Sequence, residues 1–93
     1  MLRQAGTAFA ENERRTEDMR EEYKLSIQET LCQVYDALAE KGYQPIAQII
    51  GYLRTEDPTY ITPNRDARRK LSRFDSIDIM EEVLKDYFRH HGR

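Results

Sequence analysis

A single cysteine, Cys32, stands in the 93 residues of this chain, so no internal disulfide can form and nothing points to an oxidising compartment. No apolar run approaches the roughly 20 residues that span a bilayer. The opening Met1-Leu2-Arg3-Gln4-Ala5-Gly6 also lacks a hydrophobic stretch of signal-peptide length. A cytoplasmic protein without membrane insertion is expected. Histidine is confined to His90-His91, whose adjacent side chains would leave a helix on different sides and make a poor metal pair. H-x-x-x-H, C-x-x-C and phosphate-cradling glycine loops are all missing. The chain therefore offers no catalytic residue, no metal site and no cofactor site, and it is read as a protein that is not an enzyme. Neither sign of charge dominates: 15 Lys and Arg stand against 17 Asp and Glu, a net charge of -2. The molecule as a whole has no strong reason to seek nucleic acid or anionic lipid.

What is present is helical patterning. Charged residues make up 34% of the chain, and from Glu11 to Glu22 they leave only Met19 to bury. Such a segment gains too little from burial to offset its conformational entropy, so residues 1–24 are expected to form a flexible polar arm. Ser26-Ile27-Gln28-Glu29 has the form of a capping box and predicts the first helix of the folded part. Ile27, Leu31, Val34, Tyr35 and Leu38 then recur at helical spacing, and Gly42 ends the run because glycine enters the left-handed C′ conformation freely. Pro45 opens a second helix as an N1 proline, with Ile46, Ile49, Ile50 and Leu53 as its expected buried face. The stretch Thr55 to Thr59 reads as a turn. Thr62 and Pro63 then start a third helix, carrying Ala67, Leu71 and Phe74, that runs to about residue 74. Asp75 or Ser76 caps a fourth, with Ile79, Met80, Val83, Leu84, Tyr87 and Phe88.

The expected fold is all-α, four to five short helices after the arm, with residues 25–91 as the helical domain. The doubled apolar rows of the fourth helix exceed what one neighbour can cover. So small a core is marginal alone, and both points predict a homodimer.

Three constellations bear on function. Cys32, beside Leu31 and Val34, is expected to be a buried, inert thiol. Arg65, Arg69 and Arg73 fall at i, i+4 and i+8 with Arg68 alongside, so the third helix would present a guanidinium face opposite its apolar one. Arginine forks suit carboxylate and phosphate oxygens, and the four residues are candidate partner-binding positions. A solvated face neutralised by neighbouring carboxylates is the competing interpretation. Thr16, in Arg14-Arg15-Thr16-Glu17-Asp18, is a candidate phosphorylation site in the arm, and Thr7 competes with it. A different use of the basic helix, residues 63–74, would be as the reader of a helix-turn-helix-like DNA-binding protein. Negative net charge and the scarcity of Asn and Gln beyond Asn64 argue against nucleic acid as the partner.

The string from Glu40 to Tyr52, Glu40-Lys41-Gly42-Tyr43-Gln44-Pro45-Ile46-Ala47-Gln48-Ile49-Ile50-Gly51-Tyr52, resembles the IreB family of Gram-positive bacteria, whose relatives include ReoM and YrzL-type proteins. The likeness continues through Asp57-Pro58-Thr59-Tyr60-Ile61, Asp66-Ala67-Arg68 and the acidic-apolar helix from Asp78 to Tyr87. It implies a helical homodimer, phosphorylated on an arm threonine by a membrane Ser/Thr kinase with extracellular PASTA domains. It further implies control of peptidoglycan precursor synthesis and tolerance of cell-wall antibiotics, through Clp-protease-dependent turnover of MurA, with no cofactor. Arg68 matches the family pattern. The arm departs from it, because Thr16 is followed by charged residues where relatives have a short aromatic-containing stretch. Pro63, Ser72 and Ser76 stand where relatives often carry arginine.

Overall fold

A computed structural model describes the backbone over residues 2–92 and the side chains over residues 20–92. Four α-helices follow in chain order: α1 (Leu2–Glu40), α2 (Pro45–Thr55), α3 (Ala67–Ser72) and α4 (Ser76–His90). Short 3-10 turns, Pro58–Tyr60 and Asn64–Asp66, join α2 to α3. Among the described residues there is no strand, and no helix is long and apolar enough to cross a membrane. The all-α expectation holds.

The first correction concerns Ser26, which does not cap a helix but lies half-buried within α1. Residues ahead of it have partners that keep the helix going. The Tyr23 hydroxyl donates to Asp78 at 2.8 Å, and its ring meets Phe74 edge-on at 5.4 Å. That hydrogen bond to Asp78 holds the Tyr23 phenol above its ordinary pKa. Further along, Ile27, Thr30, Val34, Ala37 and Leu38 are buried, spaced at the three- and four-residue intervals that align one helical face. Gly42, at φ 82°, ends α1 as expected. Its N–H donates to Ala39 and that of Tyr43 to Leu38, each at 3.0 Å, which is the Schellman pairing that satisfies two orphan carbonyls.

Pro45 occupies the first turn of α2, yet the face this helix buries is not the isoleucine stripe. Ile46 and Ile50 are 65% and 57% exposed, Ile49 and Leu53 are half-buried, and Gly51 and Tyr52 point inward. The reason is the turn that follows. Asp57 caps it by accepting from the Thr59 N–H at 3.0 Å and the Thr59 hydroxyl at 2.7 Å, and the N–H bond first of all holds the Asp57 carboxyl below its ordinary pKa. This folds Tyr60 back over α2, where its ring lies against Gly51 and its carbonyl accepts from Gln48 Nε2 at 2.8 Å.

The third helix is shorter than the sequence suggests. Thr62 Oγ1 accepts from the Asn64 N–H at 3.2 Å, but the turn it starts is 3-10, and Arg65 and Asp66 both take left-handed conformations (φ 53° and 60°). Side-chain contacts to the end of α1 hold this break: Asn64 Nδ2 donates to the Ala37 carbonyl at 3.1 Å and to Glu40 at 3.2 Å, and Arg65 pairs with Glu40. Regular helix begins only at Ala67 and lasts six residues. A continuous basic helix over 63–74, and with it the helix-turn-helix reader, is therefore not formed.

Helix α3 runs back along α1, since Lys70 reaches Gln33 (3.3 Å) and Phe74 reaches Tyr23. Asp75 then caps α4, accepting from the Ile77 N–H at 2.8 Å. Helix α4 turns to run with α1, as Tyr23–Asp78 and Gln28–Glu82 show. Glu82 is buried in that seam and accepts from Gln28 Nε2 at 3.2 Å. The core draws on every element: Ile27, Val34 and Leu38 of α1, Tyr52 of α2, Ile61, Leu71 of α3 and Ile79 of α4. Each fully buried aliphatic side chain of this kind contributes about 1.5–3 kcal/mol.

Candidate functional site

The break at Arg65-Asp66 divides the four arginines that helical spacing would align. Arg65 leaves the helix and serves Glu40, whose carboxyl is held below the usual range by the Asn64 amide and then by Arg65 itself. Arg73, at the far end of α3, donates through Nε to the Lys70 carbonyl at 3.3 Å, and its guanidinium lies 5.5 Å from the centre of the Phe74 ring. Arg68 and Arg69 alone share a concavity. It is a hollow of about 380 Å³ walled by Pro58 and Pro63, with Asp66 and Ser72 at its edge.

The two arginines there are held differently. Arg68 is half-buried, its Nε donating to the Ile61 carbonyl at 2.9 Å and its N–H to the Thr62 carbonyl at 3.2 Å. Arg69 is 83% exposed and meets Asp66 at 3.5 Å, a surface pair of a kind typically worth no more than about 1 kcal/mol.

The second surface is apolar. Leu31, Cys32 and Tyr35 of α1, Ile46 and Ile50 of α2 and Val83 of α4 line a groove of about 580 Å³. Cys32 is exposed there, which corrects the expectation of a buried thiol. Beyond Val83 the exposure of large hydrophobics continues along α4 through Leu84, Tyr87 and Phe88. The surplus of the α4 stripe is thus real: Ile79 alone of its large apolar side chains is fully buried. His90 and His91 each lie within 2.7 Å of a carbonyl of their own helix, and His91 stacks on Tyr87. Among the described residues no three His, Cys, Asp or Glu side chains converge to hold a metal ion. The side chains of Thr7 and Thr16 lie outside the described residues.

A cationic hollow and a broad apolar groove on a small helical body are surfaces for recognition. The family model described as IreB regulatory phosphoprotein matches residues 12–89 of the chain. The chain belongs to that family, whose members are regulators and not enzymes.

Proposed function

We propose that this chain is a homodimeric cytoplasmic phosphoprotein that a PASTA-domain Ser/Thr kinase modifies on a threonine of the N-terminal arm, and that it governs peptidoglycan precursor synthesis. Its output is tolerance of cell-wall antibiotics, reached through Clp-dependent turnover of MurA. The observation that carries this reading is the family match over residues 12–89, which includes Thr16 together with the helical body and leaves out Thr7. Thr16 is accordingly the favoured acceptor. The groove between α1, α2 and Val83 supports self-association, because its exposed Ile46 and Ile50 adjoin the uncovered side of α4 and a core this small gains from a second subunit. Arg65, Arg68, Arg69 and Arg73 supply positive charge for protein partners. Phosphate adds about 1.5 to 2 negative charges to the arm and shifts the balance of those contacts.

The test is phosphorylation of the purified chain by the catalytic domain of a PASTA kinase, with the site mapped by mass spectrometry. Phosphate on Thr16 is the expected result. A chain that takes up no phosphate on the arm refutes the kinase step.

A further inference from the structure

We infer that α1 has a second starting point at Ser26, and that the contact of Tyr23 with Asp78 and Phe74 is a latch that selects the longer helix. The inference stands apart from the proposed kinase step and does not depend on it.

An idle capping box is the first observation. Ser26-Ile27-Gln28-Glu29 carries the residues of a helix start, yet α1 runs through it without a break. Ser26 is half-buried and Glu29 exposed, and among the described residues neither side chain forms a hydrogen bond or ion pair. Once the turns ahead are released, the Ser26 hydroxyl can accept from the Glu29 N–H while the Glu29 carboxylate reaches back to the Ser26 N–H. That carboxylate then lies at the positive end of the shortened helix. The core does not need the earlier turns. Among the described residues Ile27, 1% exposed, is the first that is fully buried, and Gln28 is fixed by its bond to the buried Glu82 at 3.2 Å. Both follow Ser26 and stay in the shorter helix.

The second observation is how little attaches residues 20–26 to the rest of the molecule. Among these described residues, Tyr23 alone makes a hydrogen bond or ring contact beyond α1. Its hydroxyl donates to Asp78 at 2.8 Å and its ring meets Phe74 at 5.4 Å. Lys24 pairs within α1, with Glu21 at 3.8 Å, and acts on Glu81 only through space. Leu25 is 54% exposed. Asp78 stands in the first turn of α4, and Phe74, with the Arg73 guanidinium 5.5 Å from its ring centre, fills the corner between α3 and α4. One surface contact therefore keeps residues 20–25 in line with the body. When it opens they leave together, the cap forms at Ser26, and the fold behind it is unchanged. The corner between α3 and α4 thereby governs how far α1 extends.

The experiment is amide hydrogen exchange, resolved residue by residue by NMR, on the full-length labelled chain. In the parent, the amides from Lys24 to Gln28 should be protected. Tyr23→Ala should speed exchange at Lys24, Leu25, Ile27 and Gln28 by about tenfold or more, the effect of losing one hydrogen bond to a charged group. Protection should step up at Glu29, whose N–H the Ser26 hydroxyl then holds, and keep parent rates from Leu31 to Leu38. Alanine is the better helix former, so a helix resting on its own propensity would exchange more slowly in this variant. Adding Ser26→Ala and Glu29→Ala to Tyr23→Ala should open the Glu29 amide as well. In the parent background the same two changes should leave exchange equal or slower. Tyr23→Phe, which keeps the ring and loses the bond to Asp78, should fall between parent and Tyr23→Ala; it carries the test if the alanine variant does not fold. Parent amides already unprotected from Lys24 to Gln28, or parent rates in Tyr23→Ala, overturn the latch. A smooth gradient across residues 26–30 overturns the second start, as does a step that survives the loss of the Ser26 and Glu29 side chains.

Discussion

Replacing Gly51 by alanine should destabilise the protein, against the usual trend for a glycine inside a helix. Ordinarily the exchange is favourable by about 0.5–1 kcal/mol, because glycine loses more backbone freedom on folding. Here a Cβ would stand 2.5 Å from Cδ1 and Cε1 of Tyr60. Carbon atoms pack best at about 3.5–4.0 Å, so the ring would have to withdraw by about 1 Å. Little around it gives way: the Tyr60 carbonyl is bonded to Gln48, Pro58 precedes it by two residues, and the next residue, Ile61, is fully buried. Overpacking of this kind costs about 1–3 kcal/mol. Set against the helix gain, the net loss is about 1 kcal/mol, which lowers the melting temperature by about 4–8 °C in a domain of this size. Circular dichroism melts at one chain concentration measure it, since association would make Tm concentration-dependent. The decisive comparison removes the ring. In a Tyr60→Ala background, Gly51→Ala should become neutral or stabilising, a coupling that a double-mutant cycle reads directly. A Gly51→Ala protein that melts at or above the parent would refute the reasoning, as would a loss of equal size without the ring.

Three further outcomes are expected. Acid should weaken the fold through Glu40 and Asp57, whose carboxyls are held below their ordinary values of 4.5 and 3.8 by Asn64 and by Thr59. A depressed carboxyl pKa gives stability that is complete above the ordinary value and lost as pH falls through the folded one. Urea midpoints should therefore decline below about pH 4.5, and Glu40→Gln should flatten part of that decline. If the midpoints of Glu40→Gln and parent run parallel down to pH 3, the Asn64–Arg65 clamp on Glu40 is energetically silent. Ile50→Asp places a charge in the groove at a side chain already 57% exposed, so it should keep its helical spectrum while sedimenting as a monomer. A dimer that survives this change would place the subunit interface elsewhere. The exposed Cys32 thiol should react with an aromatic disulfide reagent in the native protein, and more slowly at chain concentrations where copies associate; a rate independent of concentration would remove Cys32 from any interface.

Local signals were legible in the sequence and long-range ones were not. Gly42, Pro45 and Asp75 mark helix boundaries where the structure has them, because a cap is settled by a few neighbouring residues. Cys32 was misplaced although the phase was available. Ile27, Val34 and Leu38 fix the buried side of α1, and position 32 lies five residues, about 140°, round from Ile27. The α2 stripe misled for another reason. Its four aliphatic residues make a good apolar row, but the core is closed by Tyr60 against Gly51, a contact that only the downstream turn creates. The arginine face failed because nothing within residues 63–69 announces two left-handed residues; the contacts that hold the break, Asn64 to Ala37 and Glu40 and Arg65 to Glu40, join positions more than twenty apart. The cationic hollow follows from that break and was illegible for the same reason; the sequence offers Arg68 and Arg69 only as two of four arginines on one helical face.

The short α3 has a thermodynamic consequence of its own. Six residues make less than two helical turns, far below the length at which a helix persists by itself in water. The turn that leads into it is held by the end of α1, where the Ala37 carbonyl takes Asn64 and the Glu40 carboxylate takes Arg65. Whatever loosens that turn, a partner pulling on it or a proton arriving at Glu40, also disperses the arrangement of Arg68 and Arg69. Linkage runs both ways: an anion seated between those arginines tightens the end of α1 by the same free energy that an ordered α1 end adds to its binding. The two ends of the connection behave as one cooperative unit.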